Sequence, residues 1–549
     1  AQIGAAIGRQ FSYQWIRAVV ARDETALKQI LAELEHAELL YRNGEVPEAV
    51  YSFKHALVRD AAYESMLKSR RQQLHGQIAR ALESGFPDLE KSEPEILAHH
   101  FTEAVLIEPA IGYWLKAGVL AISRSANAEA VKHLRRGIEL IPHLEDSPER
   151  RRKELEFYLA LGPAVAATEG DAAHETARVF ARARELLGDT GTPSERMTVL
   201  WGNYLGHSMR AEHASAMDFA RQCLSLAAEH AHPGMSALAN RFMGQTLYFM
   251  GAFVDARAHL ERTLEICAAN QQTMATYRRY GTDDQLGALT FLAVTLFFLG
   301  YPDKSAVAAE RAIARARALG LAFPTVLTLS HLALLGTIGG DPQRALAHVD
   351  EAIAISVENK FASAHHRARF RRGAMLAQGD DIQLGVELMR NALAAAEGNF
   401  ERNNRMVYLC QLAAAYANLG HLNTGMELLD EAVQLAGPTG ERFFEAELYR
   451  LRGTVLVKLG RKSEAEAELR RSLMIAQQQQ ARWWELRAAT SLTEYFRDEG
   501  RYAEASATLK QVCEWFTEGG NTPDLSYAKE LLDQLDRLTS PQIQAVQKH

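Results

Sequence analysis

Cysteine and proline are both scarce in this chain, and each shortage narrows the fold. Four cysteines in 549 residues (Cys223, Cys267, Cys410, Cys513) stand far apart with no C-x-x-C spacing, which excludes a disulfide framework or a zinc ribbon and makes a reducing cytoplasm the expected compartment. Fifteen prolines are roughly half the usual share of about 5%, as suits long helices joined by short turns. Long apolar runs are missing too: the longest charge-free stretch, Gln285 to Pro302, contains Gly287, Thr290, Thr295 and Gly300 and falls short of the ~20 apolar residues of a membrane helix. No basic start followed by an apolar core opens the chain, so no signal peptide is expected. The first residue is Ala1 rather than Met, and the sequence reads as a fragment. A net charge of −7 with interspersed signs gives no broad basic face for nucleic acid or anionic membrane.

What is present is a period. Turns with Gly or Asp followed by a polar helix start recur at Gly251, Gly300, Gly340, Asp380, Gly420, Gly460 and Gly500, spaced 49 residues once and then 40 each time. Seven residues before most turns stands a small residue (Gly244, Ala293, Ala333, Gly373, Ala413, Gly453), five after another (Ala256, Ser305, Ala345, Gly425, Ala465, Ala505), and twelve after often Ala (Ala312, Ala352, Ala392, Ala432). Small residues at fixed offsets let two helices of a hairpin approach closely, and a fixed period implies units that bury their apolar faces by stacking. A generic helical bundle has no reason to repeat three offsets.

The pattern resembles the tetratricopeptide repeat with six extra residues per unit, which would lengthen its helices by about one and a half turns. The expected fold is all-α: a right-handed α-α superhelix of about ten such hairpins from 110 to 517, the weaker copies at 111–142, 155–187 and around Arg210 included. The expected divisions are a small module at 1–90, atypical hairpins at 91–190, the regular array at 191–520, and a capping helix with tail at 521–549.

Residues 1–90 do not follow the period. Helical patterns at 12–20, 24–40 and 56–83 flank a stretch in which Asn43-Gly44 marks a tight turn and Ala49 to Phe53 reads as a strand, the order of a winged helix. IGRQFS (7–12), FKHALVRDAAYESML (53–67) and RRQQLHGQIARALE (70–83) resemble the winged-helix segment that follows the ATPase core in bacterial signal-transducing NTPases with numerous domains, especially those joined to a class III adenylate or guanylate cyclase domain. LGPAVAATEG (161–170), WELRAATSL (484–492) and WFTEGGNTPDL (515–525) resemble later landmarks of the same proteins. The resemblance implies a sensor and autoregulatory arm with the ATPase and cyclase domains upstream, where ATP or ADP would bind. It also implies that His55, in the stretch Phe53 to Asp60, touches the phosphates of ADP in the parent protein, although Ala56 stands where that motif has Asp.

No chemistry is expected from this chain itself. G-x-x-x-x-G-K-[ST] is missing, the nearest approach being Gly460-Arg461-Lys462-Ser463 at a repeat turn, and neither G-x-S-x-G nor H-E-x-x-H occurs. The pairs His99-His100 and His365-His366 lack supporting ligands at metal-site spacing and read as ordinary side chains, so no metal and no cofactor is expected. Lys68, Arg70 and Arg71 could face DNA phosphates, but interleaved glutamates disfavour it. The groove is the better candidate. Tetratricopeptide positions six and three before, and one and four after, the first small residue mark Arg241, Gln245, Tyr248, Thr290, Phe297, Ser330, Arg367, Glu447, Arg450, Arg487, Glu494 and Arg497 as lining it. The arginines could grip carboxylates or phosphates while Tyr248 and Phe297 pack an anchor. The partner would be a protein, a peptide or a small-molecule inducer. A constitutive docking scaffold, and the regulatory arm of a transcription activator, are the alternatives. Trp483 and Trp484 read as braces of the final hairpins.

Overall fold

A computed structural model describes the chain except residues 21–22, 125, 170–172, 189–190, 272–282, 360, 396–401 and 540–549. The chain forms two compact units, 1–170 with 174–191, and 171–173 with 192–549.

The first unit opens with a helix Gln2–Ile7, strand β1 (Gln10–Ser12), helices Tyr13–Val19 and Glu24–His36, and strands β2 (Leu40–Asn43) and β3 (Val50–Phe53). The strands form an antiparallel sheet in the order β1-β3-β2, with Phe11 opposite Tyr51 and Leu40 opposite Phe53. Alternation puts Phe11, Tyr51 and Phe53 on the covered face, where helix residues Leu27, Leu31, Ile78 and Leu82 complete one core. Ser12 and Asp23 start the second and third helices by accepting the backbone N–H of Trp15 and Thr25. The single helix expected at 56–83 is two, Ala56–Glu64 and Lys68–Gly85. After Pro94–Glu103 come two hairpins, Ile107–Ser123 with Asn127–Leu140 and Pro148–Glu169 with His174–Leu187.

Among its described residues the second unit holds eight hairpins, numbered third to tenth in chain order. Their A and B helices are Pro193–Met209 and His213–His230, Pro233–Phe249 and Phe253–Ala269, Asp284–Phe298 and Pro302–Leu319, Ala322–Thr337 and Pro342–Glu358, Ala362–Leu376 and Ile382–Ala395, Arg405–Asn418 and Leu422–Thr439, Glu445–Lys458 and Lys462–Gln478, and Arg482–Asp498 and Tyr502–Trp515. Pro523–Thr539 covers the last. Five of the prolines sit where they cost least: Pro193, Pro233, Pro302, Pro342 and Pro523 each open a helix, where no N–H is required.

The periodic glycines work as the pattern demands. Gly251, Gly300, Gly420, Gly460 and Gly500 turn A into B with φ between 73° and 87°, which only glycine adopts without strain. In the sixth hairpin Gly339 rather than Gly340 takes the positive φ, and in the third, whose turn lacks glycine, Ala211 does. The small residues before and after the turns meet: a Cβ on Gly244 would lie 2.6 Å from Leu260 Cγ, one on Gly453 2.6 Å from Leu469 Cγ, and Gly373 and Gly385 face each other's carbonyl oxygens.

This solenoid closes on itself within the second unit. Arg402 N–H donates to Met209 O, Arg442 and Phe443 N–H to Phe249 O, and the Trp483 indole to Ile338 O at 2.6 Å. Gly300 abuts Trp515 and Arg482, and Gly519 N–H reaches Asp303. The ends of the A helices of the third to sixth hairpins therefore meet the segments entering hairpins four or five units later. In consequence fourteen of the seventeen residues of Pro233–Phe249 are buried, against six of seventeen in its B helix. No described helix is long and apolar enough to cross a membrane.

Candidate ligand site on the inner face of the solenoid

The inner face is lined by A helices and by the segments that enter them, and closure turns it into an interior. Most of the residues marked by the repeat offsets lie inside it already partnered. Arg241, 6% exposed, donates from Nε to Asp284 Oδ1 at 2.6 Å and from Nη1 to Gln245 Oε1 at 3.5 Å. Burial raises the Asp284 carboxyl, and Arg241 opposes that rise. Thr290 donates to Leu286 O at 2.8 Å. Phe297 packs on Trp483 with ring centroids 4.4 Å apart.

The C-terminal arginines expected to grip a ligand are held by the chain's own carboxylates. Glu447 accepts two hydrogen bonds of 2.7 Å from Arg450 and two of 3.3 and 3.0 Å from Arg487. Arg487 also donates to Asp524 of the capping helix at 2.6 Å, and Arg450 to Ser491 at 3.1 Å. Burial would raise the Glu447 carboxyl, but Arg450 and Arg487 outweigh it and hold the group down at about 2. Glu494 accepts from Tyr527 at 2.5 Å, and Arg497 pairs with Asp498. These residues fasten the last hairpins and the cap to one another.

Elsewhere the interior is unsatisfied. Tyr248 and Ser330, both 0% exposed, carry hydroxyls with no partner, and His331 Nε2 has none. Around Tyr248 stand Phe291, Phe443 and His331, with ring centroids 5.3, 4.9 and 5.9 Å away. Beside them lies Arg371, 2% exposed. Its Nη1 donates to Gln411 Oε1 at 3.1 Å and its guanidinium lies 5.3 Å from the Tyr408 ring, but Nε is unpartnered and no carboxylate among the described residues pairs with it. Burial lowers its pKa, Tyr408 and Tyr248 pull the other way, and Arg367, partly buried, adds a like charge. His331 is held at about 3 by burial and by Arg371 and Arg367, so its imidazole is neutral. Burial raises the Glu441 carboxyl, whose charge also acts on Tyr248, to about 8, although it accepts the Asn404 N–H at 3.1 Å.

Phe291, His331, Arg371 and Gln411 all stand two residues before the first small residue of their hairpins, 40 apart. They form a ladder: Phe291 and His331 are 4.6 Å apart by ring centroid, and Arg371 bonds Gln411. That offset was not among those marked for the groove. The forty-residue register was the signal that could have found it, but four different side chains conceal the common position. A separate cleft of about 580 Å³, lined by Leu264, Leu292, Leu296 and Val307 with Glu261 and Arg311, opens between two B helices.

In the first unit His55 is exposed at the N-cap of Ala56–Glu64, and its side chain makes no capping hydrogen bond. The four cysteines are buried and unbridged. Trp483 donates to Ile338 O and braces the distant sixth hairpin, whereas Trp484 donates to Phe443 O at the entrance of the adjoining ninth.

No protein-family model matches the chain. An uncharacterized protein of Rhizobium meliloti (strain 1021) is 25% identical over 510 residues, covering 90% of this chain and 48% of that protein, so the chain spans about half the length of the curated relative it matches. Among solved structures, the crystal structure of a Rap protein complexed with competence and sporulation factor matches with a TM-score of 0.51 at 13% identity, covering 67% of this chain and 98% of that one. A STAND protein with a tetratricopeptide repeat sensor from Pyrococcus horikoshii gives a TM-score of 0.32 at 12% identity, covering 83% of this chain and 65% of that one. The likeness to the Rap protein, at that identity, is one of fold.

Proposed function

We propose that the chain is the sensor arm of a larger signalling ATPase and that its solenoid receives a small anionic ligand inside the superhelix. The observation that carries this reading is Arg371. A guanidinium buried without a counter-charge costs several kcal/mol, and the fold bears that cost at the point where a neutral imidazole, a phenol and two aromatic rings converge. A carboxylate or phosphate attached to a flat apolar group satisfies all of them: Arg371 takes the charge, Tyr248 and His331 provide further polar contacts, and Phe291 and Phe443 cover the rest. An enclosed site suits sensing better than constitutive docking, because a ligand that enters only when the superhelix loosens binds its two states unequally.

The β1-β3-β2 sheet with its helices supports a winged-helix module, and the length of the relative leaves room for ATPase and effector domains. In the parent protein His55 would donate to a phosphate of ADP brought by the ATPase core. His55→Ala should then release ADP faster and raise basal output by roughly tenfold or more, as the loss of one hydrogen bond to a charged group of about 1.5 to 3 kcal/mol implies. Unaltered ADP retention assigns His55 to the helix start alone.

The ligand site is tested by thermal melts of the chain with inorganic phosphate, acetate and benzoate. Benzoate, which joins a carboxylate to a flat ring, should raise the midpoint most in a saturable way, and Arg371→Met should abolish the response. A midpoint indifferent to all three, or a response unchanged in Arg371→Met, removes the reading.

A further inference from the structure

Three imidazoles converge in the first unit. His75 lies on Lys68–Gly85, and His99 and His100 on Pro94–Glu103. One nitrogen of each lies within 4.8 Å of the others, and the Nδ1 atoms of His75 and His100 are 2.8 Å apart. The three ring centroids form a triangle of 5.1, 5.3 and 5.8 Å. Imidazoles sharing one ion at about 2.0 to 2.1 Å in a tetrahedral site have their centres about 5 Å apart, so the triangle is already near that arrangement.

A hydrogen bond between His75 and His100 accounts for two of these rings and leaves the position of the third unexplained. His75 and His100 are 2% and 1% exposed, whereas His99 is exposed, so the cluster is walled on one side and open to an arriving ion on the other. The Tyr63 hydroxyl lies 2.9 Å from His75 Nε2, where an outer partner fixes the tautomer and orientation of a metal-bound imidazole. Glu103, one turn after His99, places a carboxylate within electrostatic reach of it. The adjacent pair His99-His100 lacked a third ligand at metal-site spacing in the sequence. Folding supplies it from a different helix.

We propose that His75, His99 and His100 bind one Zn²⁺ ion, with water in the fourth position, joining the helix Lys68–Gly85 to Pro94–Glu103. Nitrogen ligands without thiolate or a carboxylate cage select a borderline ion of this kind over Ca²⁺ or Mg²⁺.

The test is calorimetric titration of ZnCl₂ into the untagged chain 1–549 after chelator treatment, with Co²⁺ as a spectroscopic probe. One equivalent of Zn²⁺ should bind, and Co²⁺ should give the visible bands of a tetrahedral site. His99→Ala, at an exposed position that leaves the core intact, should weaken binding at least tenfold, as should His75→Gln with its circular dichroism unchanged. Replacing His365 and His366, an adjacent pair without a third partner, should change nothing. Failure to take up one equivalent overturns the proposal, and so does uptake that persists at full affinity in His99→Ala.

Discussion

Arg371 and Arg487 are the same residue type in the same interior, with opposite settings. Arg487 is tied to Glu447 and Asp524, while Arg371 has an amide and an aromatic ring. Removing the charge of Arg371 should therefore stabilise the ligand-free protein: Arg371→Met is expected to raise unfolding free energy by about 1 to 4 kcal/mol in denaturant titrations, since an apolar side chain of similar volume carries no desolvation cost. A loss of stability would mean that an unseen partner already neutralises the guanidinium. The buried glutamates make a second contrast, in pH. Glu441 titrates near 8 in the fold against an ordinary 4.5, so the native state binds a proton that the unfolded chain has released, and stability falls as pH rises from about 4.5 to 8. Glu447 is held at about 2, so its contribution is complete above about 4.5 and is lost as pH falls toward 2. Glu441→Gln should flatten the alkaline loss, and the destabilisation caused by Glu447→Gln at pH 7 should shrink by pH 3. Denaturant midpoints across pH check both signs. None of this was legible beforehand. Repeat offsets place a residue on a face, but whether a carboxylate from another hairpin reaches it depends on contacts the period does not encode.

Among elements the period was highly legible, because packing between helices A and B is local. Gly453 faces Leu469 closely enough that a Cβ would lie 2.6 Å from Cγ and 3.2 Å from the backbone nitrogen, whereas at Gly460 nothing lies within 4 Å and only the positive φ of 75° resists a side chain. Gly453→Arg should thus cost several kcal/mol as an overpacked interface, and Gly460→Ala only about 1 to 2 kcal/mol of backbone strain. Melting curves that rank the two the other way would mean that the hairpin contact yields easily. The turns near Gly340 and Arg210 were less exact, since any residue able to hold a positive φ ends the helix, and Gly339 and Ala211 do so there. In the first module the strand Val50–Phe53 followed from Asn43-Gly44 and its own alternation, whereas β1 at Gln10–Ser12 did not. The break between Ala56–Glu64 and Lys68–Gly85 did not, because Ser65 to Leu67 carry no glycine or proline.

For the second unit as a whole, closure is the property that sequence periodicity hides. Trp483 N–H donates to Ile338 O across 145 residues, a separation unrelated to 40 and therefore silent in any repeat alignment. The consequence is thermodynamic. An open solenoid is held by nearest neighbours and its hairpins open independently, but here the sixth hairpin leans on the tenth and the fourth on the ninth. Trp483→Phe keeps most of the buried ring and deletes only the indole N–H, a change of about 0.5 to 1.5 kcal/mol. If closure couples the turns, that loss should appear not only around Arg482–Asp498 but also as roughly two- to tenfold faster amide exchange through Ala322–Thr337, where the helix ends at the orphaned Ile338 carbonyl. Amides of His213–His230, which does not meet the tryptophan, should keep their protection. Faster exchange confined to the tenth hairpin would show that the superhelix is held by neighbours alone and that its interior opens without cooperation from the far turn, leaving Arg371 in a groove that any anion could reach.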